Sequence, residues 1–176
     1  MATYIAFLRA INLGAKRQFP KAAIVAATEA AGFTGAATHI NTGNVRLETT
    51  LRSRAKIEAA LEAAYLADRG FEVPTIAFTC AEVVTIVEDA ERFGAGREGR
   101  HYVSLLKDQP TSAVASAMED RSTDDEQVRV SGRAVHLMLG ENYHEAKLTN
   151  AGVEKVLGVA TNRNLTVLRA LVAKWC

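Results

Sequence analysis

The sequence contains few cysteines. Among its 176 residues there are two, Cys80 and Cys176, which lie far apart and form no CxxC pair. This count is too low for a disulfide-stabilised scaffold or a cysteine-rich zinc site. We therefore expect both side chains to be reduced thiols.

Long apolar runs are also absent. The longest, such as Tyr4 to Leu8 and Ala22 to Ala27, have five or six residues, whereas a membrane-spanning helix needs about 18 to 20. The stretch MATYIAFLRA has no basic leader and no small-residue cleavage site, which is typical of a first strand and not of a signal peptide. Because 48% of the residues are hydrophobic, the chain can form a packed core. We expect a cytoplasmic protein that does not cross a membrane.

No catalytic signature withstands inspection of its context. Residues 94–99 spell GAGREG, formally the GxGxxG of dinucleotide binding, but a predicted helix precedes them and a strand follows. This is the reverse of the order that the fingerprint needs, so a linker is favoured. There is no phosphate loop of the GxxxxGK type, and HEAKL at 144–148 lacks the second histidine of a metalloprotease helix. No general base can be named, so the sequence leaves open whether the protein is an enzyme.

Metal and RNA binding are disfavoured on similar grounds. His136, Glu141 and His144 are close in sequence but lack a regular ligand spacing, so we predict no metal and no other cofactor. An RNA-recognition module would need closely spaced aromatic residues on its third strand, where this chain has NVRLE. The sequence therefore argues against a nucleic-acid partner.

The net charge of +1 hides an uneven distribution along the chain. Residues 1–28 carry four basic and no acidic side chains, and residues 146–176 carry five basic side chains against Glu154 alone. The middle of the chain is correspondingly acidic. If folding brings the two basic ends together, their field would attract an anion without making the whole protein a general nucleic-acid binder.

The first 79 residues have the periodicity of a β-α-β-β-α-β unit, the order of a ferredoxin-like fold. Thr42-Gly43 has the spacing of a two-residue hairpin turn. The predicted elements are a strand at Tyr4–Leu8, a helix ending at Gly32, strands at 37–41 and 44–48, a helix from about Ser53 to Asp68, and an edge or bulged strand within 71–79.

A similar order follows in the rest of the chain. Thr79 and Glu82 have the spacing of a capping box and predict a linking helix. We therefore predict an α+β protein with a first ferredoxin-like half at 1–79, a linking helix and Gly-rich loop at 80–100, and a second half at 101–176 with an extra C-terminal helix. The elements predicted in the second half are a strand at His101–Lys107, a helix at Thr111–Glu119, a hairpin of 127–130 with 134–139, a helix at Thr149–Leu157, a short strand in GVAT and a last helix.

The topology points to one candidate site. In a ferredoxin-like unit the loop after the first strand and the hairpin between the second and third strands lie at the same end of the sheet. Amides, a hydroxyl, glycine N–H groups and cations at that end suit a phosphate or carboxylate. The alternative is that the asparagines cap loop backbone groups and the lysine is merely solvated. The candidate residues are Arg9, Asn12, Gly14 and Lys16 in the loop, and Asn41, Thr42, Gly43 and Asn44 in the hairpin.

A second candidate is ATNRN at 160–164, which we predict to open the last helix. Thr161 or Asn162 would cap that helix, and its free N–H groups with Arg163 and Asn164 would attract an anion. A cation in a first helical turn opposes the helix dipole, so Arg163 needs an anionic partner. That partner is either a ligand or an acidic side chain.

Four segments resemble the bacterial DUF1697 family: FLRAINLGAK, GFTGAATHINTGNV, KLTNAGVEKVLG and ATNRNLTVLRAL. They occur in order over nearly the whole chain. The resemblance implies an α+β fold of two ferredoxin-like halves and no established reaction. Ala15 stands where members commonly have a second glycine, and Leu165 where an aromatic residue commonly follows the Arg-Asn pair.

The leading hypothesis is a small binding protein for a phosphate-bearing ligand or nucleotide, in a pocket formed by the first loop, the hairpin and the start of the last helix. We expect a monomer or weak homodimer. The alternative is a protein-interaction or structural module without a small-molecule site, which would use its sheet edges and acidic middle.

Overall fold

A computed structural model describes all residues, 1–176, and divides into two compact units. The first comprises Met1–Glu82 with Trp175, and the second comprises Val83–Lys174 with Cys176. Each unit has a four-stranded antiparallel sheet with the β-α-β-β-α-β order. The predicted α+β fold, with two ferredoxin-like halves, a linking helix and an extra C-terminal helix, is confirmed.

In the first unit the strands lie in the order β2-β3-β1-β4, so β1 and β3 are central and β2 and β4 form the edges. Every neighbouring pair is antiparallel. The elements are β1 (Ala2–Leu8), α1 (Lys21–Ala30), β2 (Thr34–His39), β3 (Asn44–Thr49), α2 (Arg54–Arg69) and β4 (Thr75–Thr79).

Helix α2 shows how the sequence sets these limits. The Ser53 hydroxyl accepts a hydrogen bond from the backbone N–H of Lys56 at the start, and Gly70 ends the helix with φ of 72°. That left-handed conformation carries little cost for glycine. One face of α2 packs on the sheet through Ile57, Leu61 and Tyr65. The remaining buried core includes Tyr4, Ala6, Leu8, Phe19, Ile24, Val45 and Leu47.

The second unit repeats the arrangement, with strand order β6-β7-β5-β8. Its core lies between this sheet and the helices at Ser112–Glu119 and Asn150–Leu157, and includes Leu106, Met118, Val135, Leu137 and Val153. The linking helix is α3 (Cys80–Gly94). The other elements are β5 (His101–Leu106), α4 (Ser112–Glu119), β6 (Gln127–Ser131), β7 (Ala134–Met138), α5 (Asn150–Leu157), β8 (Ala160–Asn164) and α6 (Leu165–Trp175).

The hairpin between β2 and β3 differs from the predicted two-residue turn. His39 pairs with Asn44, so the loop comprises Ile40–Gly43. Two loop residues have positive φ, 53° at Ile40 and 81° at Gly43. The turn signal at Thr42-Gly43 identified the hairpin but not its length, because the loop begins at an isoleucine that sequence preference places in a strand.

The prediction of reduced thiols is wrong for this structure. Neither Cys80 nor Cys176 is free, and both are disulfide-bonded. The low cysteine count argued against a disulfide-rich scaffold, but it does not argue against a single bond, which depends on how close two side chains lie after folding.

Candidate functional site

The loop that leaves β1 is held together by the side chain of Asn12. The Asn12 Oδ1 accepts a hydrogen bond from the Phe19 N–H at 2.8 Å, and its Nδ2 donates to the Phe19 carbonyl at 3.2 Å. The same Nδ2 donates to the carbonyl of Asn41 in the hairpin at 2.8 Å. The predicted adjacency of the first loop and the hairpin is confirmed by this bond.

Arg17 fastens the other side of the loop. Its Nε donates to the Ala10 carbonyl and its Nη2 to the Glu72 carbonyl, each at 2.6 Å. The guanidinium also lies over the Phe71 ring, 4.7 Å from the ring centroid. These contacts assign Arg17 to holding the loop in place.

The hairpin residues are largely committed to their own turn. Asn44 is fully buried, and its Nδ2 donates to the His39 carbonyl at 2.9 Å and to the Thr42 hydroxyl at 3.0 Å. The Gly43 carbonyl accepts from the Leu8 N–H at 2.8 Å. Thr42, Gly43 and Asn44 therefore stabilise the hairpin turn itself, in agreement with the alternative interpretation of these residues.

A shallow surface pocket of about 390 Å³ lies beside this framework. Asn12, Gly14 and Asn41 are the predicted candidates that line it, whereas Arg9 lies at the end of β1, where its N–H donates to the Pro74 carbonyl at 2.9 Å. The full lining is Asn12, Gly14, Gln18, Phe19, Pro20, Lys21 and Asn41.

Lys21 and Lys16 give this region two exposed positive charges. Lys21 is the first residue of α1, and the residue before it, Pro20, gives that helix no side-chain cap. The first turn of α1 contains no acidic residue. Lys16, in a short 3-10 turn, and Lys21 are both exposed. Lys21 and Gln18 are not among the residues predicted from the sequence, although proline just before a helical run is a signal for a helix start.

The segment ATNRN is a strand and not the start of a helix, so the prediction for residues 160–164 is wrong in this respect. It forms β8, which pairs with β5 and completes the second sheet. The helix begins at Leu165, and Asn164 is its cap, with Oδ1 accepting from the Thr166 N–H at 2.8 Å. Several small polar residues precede the apolar helix, and the sequence alone does not show which of them is the N-terminal cap.

Arg163 is consequently inside a sheet. It is 6% exposed, and its Nη1 donates to the Thr161 hydroxyl at 2.9 Å and to the Asn162 carbonyl at 2.7 Å. Burial lowers the pKa of Arg163 to about 10, so the side chain remains charged at neutral pH. Thr161 is also buried, at 5% exposure.

Asn164 lines a second pocket, of about 360 Å³, within the second unit. One wall contains His101, whose Nε2 lies 3.2 Å from Nδ1 of His136. Burial is the main cause that lowers the pKa of each histidine to about 4, so both rings are neutral at pH 7. Neither pocket contains a metal-binding cluster, since the chain has no group of three or more His, Cys, Asp or Glu side chains that could hold an ion.

The fold is that of an α+β protein built from two ferredoxin-like units, each of which has a polar surface pocket. The chain belongs to the DUF1697 family, described as proteins of unknown function, whose sequence profile matches residues 1–136. Its fold is similar to that of the conserved bacterial protein SP0830 from Streptococcus pneumoniae. The two share 15% identity with a TM-score of 0.75, over 98% of this chain and 97% of that one. No functionally curated protein matches the chain, and none of its helices combines the length and apolarity required to traverse a bilayer.

Proposed function

We propose that the protein binds a small phosphate-bearing ligand or nucleotide in the pocket beside the first loop. The observation that carries this proposal is the position of Lys21, at the uncapped start of α1, on the wall of a pocket whose other polar groups are amides. Helix starts present backbone N–H groups and the positive end of the helix dipole, which favour anions.

The remaining polar groups of the pocket also suit an anion. Gln18 contributes a side-chain amide, and Gly14 has φ of 73°, so its backbone is open to a close approach. A Cβ added at Gly14 would meet nothing within 4 Å, which leaves space over this part of the loop. The pocket volume of about 390 Å³ falls within the ~300–1,000 Å³ common for small-molecule sites.

The lining favours binding without chemistry. Apart from the Lys21 amine, it contains none of the side chains that act as general acids, general bases or nucleophiles: no carboxylate, histidine, cysteine or hydroxyl. A lone exposed lysine has no partner base in the lining to activate it. The pocket by itself therefore supports a ligand-binding protein over an enzyme.

Thermal stability with and without ligands tests the proposal. Ligand at about ten times its Kd should stabilise the folded protein by about 1.4 kcal/mol. For a chain of this length that corresponds to a rise of about 3–6 °C in Tm. The probes are inorganic phosphate, AMP, ATP and glucose 6-phosphate at millimolar concentration.

Matched lysine variants give the control for this measurement. Lys21→Ala removes the pocket charge, whereas Lys56→Ala removes an equally exposed charge from α2, away from the pocket lining. We expect the first variant to lose the ligand-induced shift and the second to keep it. Absence of a shift with every probe, or equal shifts in both variants, would contradict the proposal.

The alternative is a module that binds partners through its sheet edges. The edge strand β4 argues against it, because its outward backbone N–H groups are already hydrogen-bonded within the chain. Glu62 accepts from the Thr75 N–H at 2.8 Å, and Glu58 accepts from the Ala77 N–H at 2.9 Å. The distance between the two glutamates along α2 matches the distance between the two N–H groups along β4, because four helical residues rise about 6 Å and two strand residues rise about 6.8 Å. A strand that uses its outward N–H groups in this way cannot offer them to another chain.

The outward N–H groups of the edge strand β6 are also hydrogen-bonded within the chain. Glu119 accepts from the Val130 N–H at 2.7 Å, and the Ser122 hydroxyl accepts from the Val128 N–H at 3.1 Å. At the remaining edge of the first sheet, β2 has an irregular register between Thr34 and Ala37. Bulges of this kind also discourage strand addition.

A further inference from the structure

We propose that the second pocket, formed within the second unit, binds a small organic anion, a carboxylate or phosphate monoester, between two arginines and the start of α6. We call it the arginine pocket. The inference goes beyond the proposed function, because the two pockets share no residue and each can be removed without the other. The arginine pocket is lined by Ala90, Glu91, Gly94, Ala95, Arg97, Glu98, Gly99, Arg100, His101, Met138, Asn164, Leu165, Thr166 and Arg169.

Charge pairing within the pocket leaves two arginines for a ligand. Arg169 donates from Nε and Nη2 to the two carboxylate oxygens of Glu91 at 2.6 and 2.9 Å. This bidentate pair is electrically balanced and holds the pKa of Glu91 below its usual value. The remaining charged residues of the lining are two arginines, Arg97 and Arg100, and one acid, Glu98. The pocket lining therefore carries an excess of positive charge.

The side chains of these two arginines are only weakly engaged by the protein. Arg97 is exposed and makes no side-chain hydrogen bond or ion pair. Arg100 lies over the Tyr143 ring at 4.7 Å from its centroid, with a long contact of 3.4 Å from Nη2 to the Tyr143 hydroxyl. Stacking orients a guanidinium while leaving most of its N–H donors available.

Neutral donors at the start of α6 complete the site. The Oδ1 of Asn164 is used in capping α6, which leaves its Nδ2 amide available toward the pocket that the residue lines. The exposed Thr166 contributes a hydroxyl. Met138 and Leu165 are buried apolar residues of the same lining, so the pocket offers apolar surface as well as polar donors. This combination suits a ligand with an anionic head and an apolar body.

The Gly-rich loop holds Arg100 in place through its backbone. A Cβ at Gly99 would lie 2.2 Å from the carbonyl carbon of Gly140, so only glycine fits. The Arg100 N–H donates to the Gly140 carbonyl at 3.3 Å, and the Leu139 N–H donates to the Arg100 carbonyl at 2.8 Å. Gly99, the last glycine of GAGREG, therefore allows the close approach to Gly140 that positions Arg100 in this pocket wall.

An NMR titration of the full chain with phenyl phosphate tests the inference. We expect saturable shifts in the Nε–H signals of Arg97 and Arg100 and in the backbone amides of Leu165–Val167. The double variant Arg97→Ala, Arg100→Ala should weaken binding at these amides at least about tenfold, as expected on losing charge-assisted hydrogen bonds. Arg52→Ala, which removes an exposed charge from the first unit, should leave binding unchanged.

Single and conservative variants keep the test decisive. Arg97 is exposed, so Arg97→Gln should fold normally and still weaken binding. Lys21→Ala should leave the shifts at Leu165–Val167 intact, which separates failure of this inference from failure of the first-loop proposal. The inference is overturned if these signals do not move with phenyl phosphate, or if the double variant binds as tightly as the unmodified chain.

Discussion

Replacing Asn12 with alanine should destabilise the first unit by about 3–4 kcal/mol. Three hydrogen bonds are lost, two to Phe19 and one to Asn41, at about 1 kcal/mol each. Asn12 also has φ of 54°, and alanine in this left-handed region costs about 1 kcal/mol more. The corresponding fall in Tm is roughly 6–16 °C.

Two further substitutions at the same position separate the causes. Asn12→Gly also loses the hydrogen bonds but tolerates positive φ, so it should be about 1 kcal/mol less destabilising than Asn12→Ala. Asn12→Asp keeps an acceptor for the Phe19 N–H but loses the amide donor to the carbonyls of Phe19 and Asn41, and it places a carboxylate against those two oxygens. It should therefore recover at most one of the three hydrogen bonds and be clearly less stable than the original residue.

Urea unfolding followed by tryptophan fluorescence is the appropriate assay. The single tryptophan, Trp175, groups with the first unit and packs edge-on against His39, with ring centroids 6.2 Å apart. Leu13→Ala is the control, because Leu13 lies in the same loop and is 68% exposed. The reasoning is refuted if Asn12→Ala changes the free energy of unfolding by less than 0.5 kcal/mol (roughly the effect of a surface substitution).

Two other predictions concern the hairpin and the histidine pair. Gly43→Ala places a Cβ 2.7 Å from that of Leu8 at φ of 81°, whereas Gly14→Ala has φ of 73° and no neighbour within 4 Å. Calorimetry should show a clearly larger loss of Tm for Gly43→Ala, and equal losses would contradict the close-packing account. For His101 and His136 the folded pKa is lowered to about 4, below an unfolded value of about 6.5. The unfolded state then binds more protons than the folded state between these two pH values. Stability should therefore fall as the pH is lowered from about 6.5 to 4, by up to about 1.4 kcal/mol per pH unit for each ring. Unfolding curves that do not change over this range would contradict the prediction.

Element order was predictable because periodicity and caps are local properties of the sequence. Ser53 and Gly70 limit α2, and Thr79 and Glu82 form the predicted capping box at the start of α3, with the Thr79 N–H donating to Glu82 at 2.8 Å. The same local chemistry did not fix the start of α6. The choice of Asn164 as cap depends on β8 pairing with β5, which is a long-range contact.

The location of the candidate site was predictable from the sequence, but the residues that line it were less so. Chain direction within a ferredoxin-like unit placed the first loop beside the hairpin, and the bond from Asn12 to Asn41 shows this arrangement. The use of Asn44 as a buried turn residue could not be read from the sequence, since an asparagine has the same donors in a turn and in a binding site. Lys21 is not among the predicted site residues, because the apolar spacing that predicts α1 begins only at Ile24 and does not locate the helix start at Lys21.

The most direct test of the account is an NMR titration of the unmodified protein and its Lys21→Ala variant with AMP. The account predicts saturable shifts at the backbone amides of Gly14 and Lys21–Ala23, and loss of these shifts in the variant. Unmoved amides at this end of α1, or the same affinity in both proteins, would contradict the claim that the first loop and the helix start form an anion-binding pocket.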